Sequence, residues 1–193
     1  RRRHTRYPLV TGVQTCALPI YGAADWGRKV TCTISRNGDL IHRVYLQVTL
    51  PRITVSGTQQ FRWLNWLGHV MIRIVEVEIG GQRIDRQYGD WMHIWNQLTM
   101  TSEQQRGYFK MIGNTTQLTF ITDPSFSDVD GPCDSLAPRQ VCAPRNALPE
   151  TTLYVPLQFW FCCNPGLALP LIALQYHEVK INLDIRPIDE CLW

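Results

Sequence analysis

Hydrophobic and polar positions change period along the chain, and the clearest change falls between Val70 and Thr99. Val75, Val77 and Ile79 alternate with Glu76 and Glu78, the period-2 pattern of a strand with one buried face. Val70, Ile72 and Ile74 occupy the opposite parity, so either both faces are buried there or a bulge shifts the register. Gly80-Gly81 supplies the positive φ of a two-residue hairpin turn. Folding about that pair sets Glu78 opposite Arg83, Val77 opposite Ile84 and Glu76 opposite Asp85. The last pair is unfavourable unless Arg83 or Arg86 bridges it diagonally. Immediately afterwards the period becomes helical. Asp90 is placed to cap a helix, and Trp91, Ile94, Trp95 and Leu98 fall at i, i+3, i+4 and i+7.

The same reading extends to both sides. Strands are expected over Arg28–Ser35, over Leu40–Leu50 with Val44, Leu46 and Val48 on one face, and over Gln117–Ile121. Thr151–Cys162 carries bulky residues on both parities and should be buried on both faces. Gln175–Ile185 alternates, with Val179, Ile181, Leu183 and Ile185 sharing a side. Asn37-Gly38 is a hairpin-turn signal and Asn164-Pro165-Gly166 a second turn, while Pro51 and Pro187 stop strands. Phe61–Leu67 reads as a short helix or as irregular chain. Ser102 with Gln105 fits a capping box for a second helix, with Tyr108, Met111 and Ile112 as its apolar face and Gly113 as its C-cap. The expected class is all-β and antiparallel, with short helical insertions. Residues 123–150, with five prolines and five acids, form a long irregular segment and are the candidate for exposed, variable surface.

At 193 residues the chain holds one sizeable core and is too short for two ordinary domains. It has no run of roughly eighteen or more uncharged apolar residues of the kind that spans a membrane. Val10–Ile20, VTGVQTCALPI, looks like the conceptual translation of a common sequencing-library adaptor, so residues 1–20 are set apart from the fold and residues 21–193 are taken as the domain. The rival reading of this end is a signal peptide with a basic start. Setting it apart changes the charge: four of the 19 basic residues lie there with no acid, leaving 15 against 16, and +3 becomes −1. A nucleic-acid partner inferred from basicity would rest on those four arginines alone. Seven cysteines include no CxxC, and free thiols are the default, although Cys133 and Cys142 could pair if oxidised.

Sites of chemistry are hard to find. There is no GxxxxGK, GxSxG or HExxH, and the five histidines are scattered singly. His42 and His69 read as hydrogen-bonded core or interface histidines. Glu76 and Glu78 share a strand face and read as solvated acids. Asn114-Thr115-Thr116 matches a glycosylation acceptor, meaningful only in a secretory compartment. No catalytic, cofactor-binding or metal-ligating residue is nominated. The singled-out positions are structural: Asn37, Gly38, Gly80, Gly81, Asp90 and Gly113.

Three stretches carry a family resemblance: EIGGQRIDRQYGDWMHIWNQLT, the YxxMIGN segment at Tyr108–Asn114, and LYVPLQFWFCxNPGLALPLIALQYHEVKIN. SRNGDLI, VYLQVTLP and RWxNxxGH add to them. From Gly22 to Trp193 the chain resembles the major capsid proteins of the nucleocytoplasmic large DNA viruses, in the first of their two jelly rolls. The resemblance implies an antiparallel jelly-roll β-sandwich and a non-enzymatic shell subunit without cofactors. It further implies homotrimeric, pseudo-hexameric capsomers in an icosahedral virion capsid, assembled in the host cytoplasm. Minor capsid proteins and a nearby inner viral membrane are the implied partners, with no sequence-specific nucleic acid. On this expectation the chain is a fragment, with its first strand region displaced and its second jelly roll absent. Two alternatives stay open: a carbohydrate-binding jelly roll reading host glycans through residues 123–150, and a metal-dependent cupin-like enzyme.

Overall fold

Alternating apolar positions pair into sheets, and the polar positions between them form the outer surface. The computed structural model describes residues 20–21, 24–35, 38–54, 61–119 and 147–193. The adaptor-like stretch up to residue 19, Asn37, Cys133, Cys142 and residues 123–146 of the long irregular segment lie outside these. In chain order the first strands are β1 (Ile20–Tyr21), β2 (Lys29–Thr33), β3 (Leu40–Ile41), β4 (Tyr45–Leu50) and β5 (Ile53–Thr54). Helix α1 (Leu67–Val70) precedes the hairpin β6 (Ile72–Ile79) and β7 (Gln82–Tyr88). Helices α2 (Gly89–Thr99), α3 (Ser102–Ile112) and α4 (Thr116–Thr119) follow. The last elements are β8 (Ala147–Leu148), β9 (Thr151–Pro156), α5 (Trp160–Cys163), β10 (Leu169–Pro170) and β11 (Val179–Ile185).

Five strands form an antiparallel sheet in the order β1-β2-β11-β6-β7. Antiparallel pairs β3–β10, β4–β9 and β5–β8 supply further strands. Val30, Val75, Val77, Ile181 and Leu183 of the large sheet share one core with Leu50, Leu148, Leu153 and Val155 of the pairs. This is a two-layer sandwich whose interior also takes Trp63, Phe159 and Phe161. Ile20 pairs with Cys32, so the boundary expected after residue 20 falls inside β1.

The register of β6 resolves both ambiguities of its sequence. Asp184 lies opposite Ile74 but Ile185 opposite Ile72, so a bulge at Arg73 returns Ile72 to the buried side with Val75 and Val77. Toward β7, Glu78 faces Arg83 as expected, but a second shift at Ile84 sets Val77 opposite Asp85 and Glu76 opposite Arg86. The expected Val77–Ile84 and Glu76–Asp85 pairs therefore do not form. Glu76 instead takes Arg86 Nε at 3.1 Å and Arg83 Nη1 at 3.3 Å. Gly80 and Gly81 have φ of 59° and 84°, the left-handed values the tight turn requires.

Several sequence expectations give way to tertiary packing. Gln117–Ile121 is not a strand where it is described: Thr116–Thr119 is the helical turn α4, its Thr119 hydroxyl donating to the Thr115 carbonyl at 2.9 Å. Thr151–Cys162 stops as a strand at Pro156 and buries one side only, Leu153 and Val155, before α5. Leu40–Leu50 splits into β3 and β4. Thr101, not Ser102, holds the cap position of α3, and the Ser102–Gln105 box is not formed. Gly113 ends α3 at φ 79°, the left-handed C-cap its position predicts.

Candidate functional site

Helix α2 follows β7 without a linker, and that junction decides which of its faces is buried. Gly89, Met92 and Asn96 turn inward. The regular apolar stripe turns out: Trp91 is 44% exposed, Ile94 50% and Leu98 77%, with Trp91 and Trp95 rings 6.0 Å apart. Tyr88, exposed at the end of β7 with the Arg86 guanidinium 5.3 Å over its ring, prolongs the ridge. An amphipathic helix ordinarily sets such a stripe against its own core, so an outward stripe is a candidate contact surface.

Asp90 is not the cap expected of it. Tyr88 occupies the cap position without a side-chain bond, and Asp90 lies in the first turn. Its carboxylate reaches Arg186 at 3.6 Å, and Arg186 also pairs with Glu190 at 3.5 Å. The acid thus suits the positive end of the helix and ties it to the chain after β11.

Behind the ridge, α1, α2 and α3 meet in a cluster of rings. Trp66, left-handed at φ 60°, stacks on His69 at 5.8 Å and meets His93 edge-on at 4.5 Å and Phe109 at 4.8 Å. His69 is fully buried, its Nε2 2.7 Å from the Tyr108 hydroxyl. Burial, and secondarily His93, hold its pKa down at about 4. Burial also raises the Tyr108 phenol, which stays protonated. His69 is therefore a core histidine, as expected, but it has His93 as a neighbour 5.9 Å away. Sequence spacing hides this pair because the residues sit on different helices. His42 is separate, its Nδ1 3.0 Å from the Phe161 carbonyl oxygen.

Asn114 supports the same cluster. Its Oδ1 accepts from the Trp66 backbone N–H at 3.2 Å, which fastens the left-handed turn. Replacing Asn114 with alanine is expected to cost about 1–2 kcal/mol, because a half-buried donor loses its acceptor. Urea unfolding of the variant checks this, and an unchanged midpoint would contradict it. Gly38 is exposed, and a Cβ added there would meet nothing within 4 Å.

The outer face of the large sheet is polar and internally paired. Thr31, Asn182, Glu76 and Arg86 lie in one row across four strands, and Thr33, Lys180, Glu78 and Arg83 in the next. Thr31 donates to Asn182 at 2.9 Å and Asn182 to Glu78 at 3.1 Å. A hollow of about 240 Å³ lies on this face, lined by residues including Lys29, Glu76, Arg86 and Asp184. It is below the roughly 300–1,000 Å³ of ordinary ligand pockets, and Glu76 and Asp184 are matched by Arg86 and Lys29. Among the described residues no three His, Cys, Asp or Glu side chains are grouped to hold a metal ion. Among the described residues Cys32, Cys162, Cys163 and Cys191 form no disulfide, and burial pushes the Cys162 and Cys191 thiols up to about 11. No described helix is long and apolar enough to cross a membrane.

Comparison with known proteins fits this picture. Residues 2–193 match the family model described as the major capsid protein N-terminus. The chain is 69% identical over 195 residues to the major capsid protein of Phaeocystis pouchetii virus. It is 64% identical over 220 residues to that of Chrysochromulina ericina virus. Each alignment takes in 100% of this chain and 37% of the relative, so the chain spans little more than a third of their length. Among solved structures, PBCV-1 VP54 superposes with a TM-score of 0.62 at 29% identity, over 91% of this chain and 37% of that one. The two-layer sandwich is a jelly roll with short helical insertions, and the chain belongs to the major capsid protein family of large DNA viruses, in its N-terminal part.

Proposed function

We propose that the chain is the first jelly roll of a shell-building subunit that works through contacts between copies and catalyses no reaction. The outward stripe of α2 is the observation that carries the reading. Trp91, Ile94 and Leu98 are displayed on a surface whose neighbouring sheet face is covered by ion pairs. On this reading a second jelly roll completes the subunit, and three subunits form a capsomer of pseudo-hexameric outline in an icosahedral shell. Minor capsid proteins and a membrane beneath the shell are the proposed neighbours, and assembly is placed in the host cytoplasm. Asn37, Gly38, Gly80, Gly81, Asp90 and Gly113 serve the fold, and Asn114 serves the Trp66 turn rather than carrying a glycan. No described residue favours glycan reading through residues 123–150.

The test is electron microscopy of the full-length gene product. Particles of threefold symmetry are the expected result. A stable monomer that never forms them would overturn the proposal.

A further inference from the structure

We propose that Trp66, His69, His93 and Tyr108 form an acid-sensitive latch that fastens α2, and the ridge it carries, to α1 and α3. Each helix contributes to the one cluster: His69 from α1, with Trp66 just before it, His93 from α2 and Tyr108 from α3. The titratable groups set against His69 are His93 and Tyr108. Val155 of β9 and Ile112 of α3 close on the adjoining Gly68.

The closed cluster accommodates His69 only as a neutral imidazole. His69 Nδ1 and His93 Nδ1 are both buried with no hydrogen-bond partner among the described residues. The Tyr108 hydroxyl can satisfy His69 Nε2 by donating or accepting, whichever tautomer is present. A protonated His69 would carry N–H groups on both nitrogens. The one on Nδ1 would then face no acceptor, with its charge desolvated beside His93. Moving α2 away admits water to both rings, so an added proton favours the open form.

The direction with pH follows from the lowered value. The folded pKa of His69, about 4, lies below the ordinary 6.5. The latch is therefore at full strength above pH 6.5 and weakens as pH falls toward 4. Below about 4 both forms hold the proton, and this group contributes nothing further. A separation of this size raises the open population by about a hundredfold. The latch itself does not depend on the shell reading, but its effect on contacts between copies does.

Amide hydrogen exchange of the chain in solution, corrected for intrinsic rates and followed from pH 7 to pH 4, tests the latch without any assembly. Protection of α2 should fall about a hundredfold relative to β6 and β11. His69→Gln should abolish that fall, and His93→Gln, at a less buried position, should reduce it. If His69→Gln fails to fold, the His93→Gln profile decides. Protection of α2 that tracks β6 and β11 at every pH would overturn the proposal, as would an unchanged fall in His93→Gln. A full-length product that stays monomeric yet shows the α2 transition would sink the shell reading and leave the latch standing.

Discussion

A Gly89→Ala variant is expected to lose about 3 kcal/mol of stability or more, against the usual rule that alanine improves a helix. Gly89 is the first residue of α2, and a Cβ there would run into the carbonyl oxygens of His69 and Ile72. Both obstacles are backbone, held by α1 and by the start of β6, so neither can rotate away as a side chain would. Overpacking of this kind ordinarily costs about 1–3 kcal/mol, and a main-chain obstacle puts it at the upper end or beyond. The intrinsic gain from replacing glycine in a helix, about 1 kcal/mol, does not offset it. Gly107 provides the contrast. It lies inside α3, where a Cβ meets nothing within 4 Å, so Gly107→Ala should stabilise the chain by about 0.5–1 kcal/mol. Urea unfolding of the two variants reads opposite signs from the same chemical change. A neutral Gly89→Ala would mean that the junction of β7 and α2 is looser than the structure places it.

Replacing Ile94 and Leu98 together with lysine should abolish assembly of the full-length protein while leaving the fold intact. Both side chains point to solvent and neither belongs to the core, so the stability of the chain should stay within about 0.5 kcal/mol. In an assembled interface, large apolar anchors of this kind contribute about 2 kcal/mol or more each. Losing two weakens each contact by about 4 kcal/mol, close to a thousandfold. Analytical ultracentrifugation with circular dichroism separates the outcomes. A folded variant that still assembles at the wild-type concentration would remove α2 from the contact surface. The half-buried Trp95 is left in place because its loss would mix the two effects.

Much of the sandwich is legible in the chain because strand alternation survives folding. Val179, Ile181, Leu183 and Ile185 are buried together, as their parity requires, and the paired glycines of the β6–β7 turn take the φ values their position demands. The registers are less legible. Each bulge adds one residue without altering composition, so the pairing of Glu76 with Arg86 emerges only when the strands are set side by side. Helical content near Thr116 and the end of β9 at Pro156 are decided by what packs against them rather than by local preference. The outward ridge is visible in the sequence as spacing but not as orientation. Trp91, Ile94, Trp95 and Leu98 show a helix face, and only the tight junction at Gly89 turns that face outward. The histidine pair leaves no sequence signal, since twenty-three positions separate His69 from His93 and three helices are needed to bring them together.

The irregularity at Ile84 has an effect beyond the hairpin that contains it. Among the described strands β7 lies at one edge of its sheet, with backbone groups on its far side that a foreign strand would seek. The extra residue interrupts the spacing of those groups halfway along, so an incoming chain could match only a short length on either side. A rim broken in this way is a poor template for fibre growth. In the proposed shell, where copies would crowd together, it favours orderly docking through side chains over insoluble stacking.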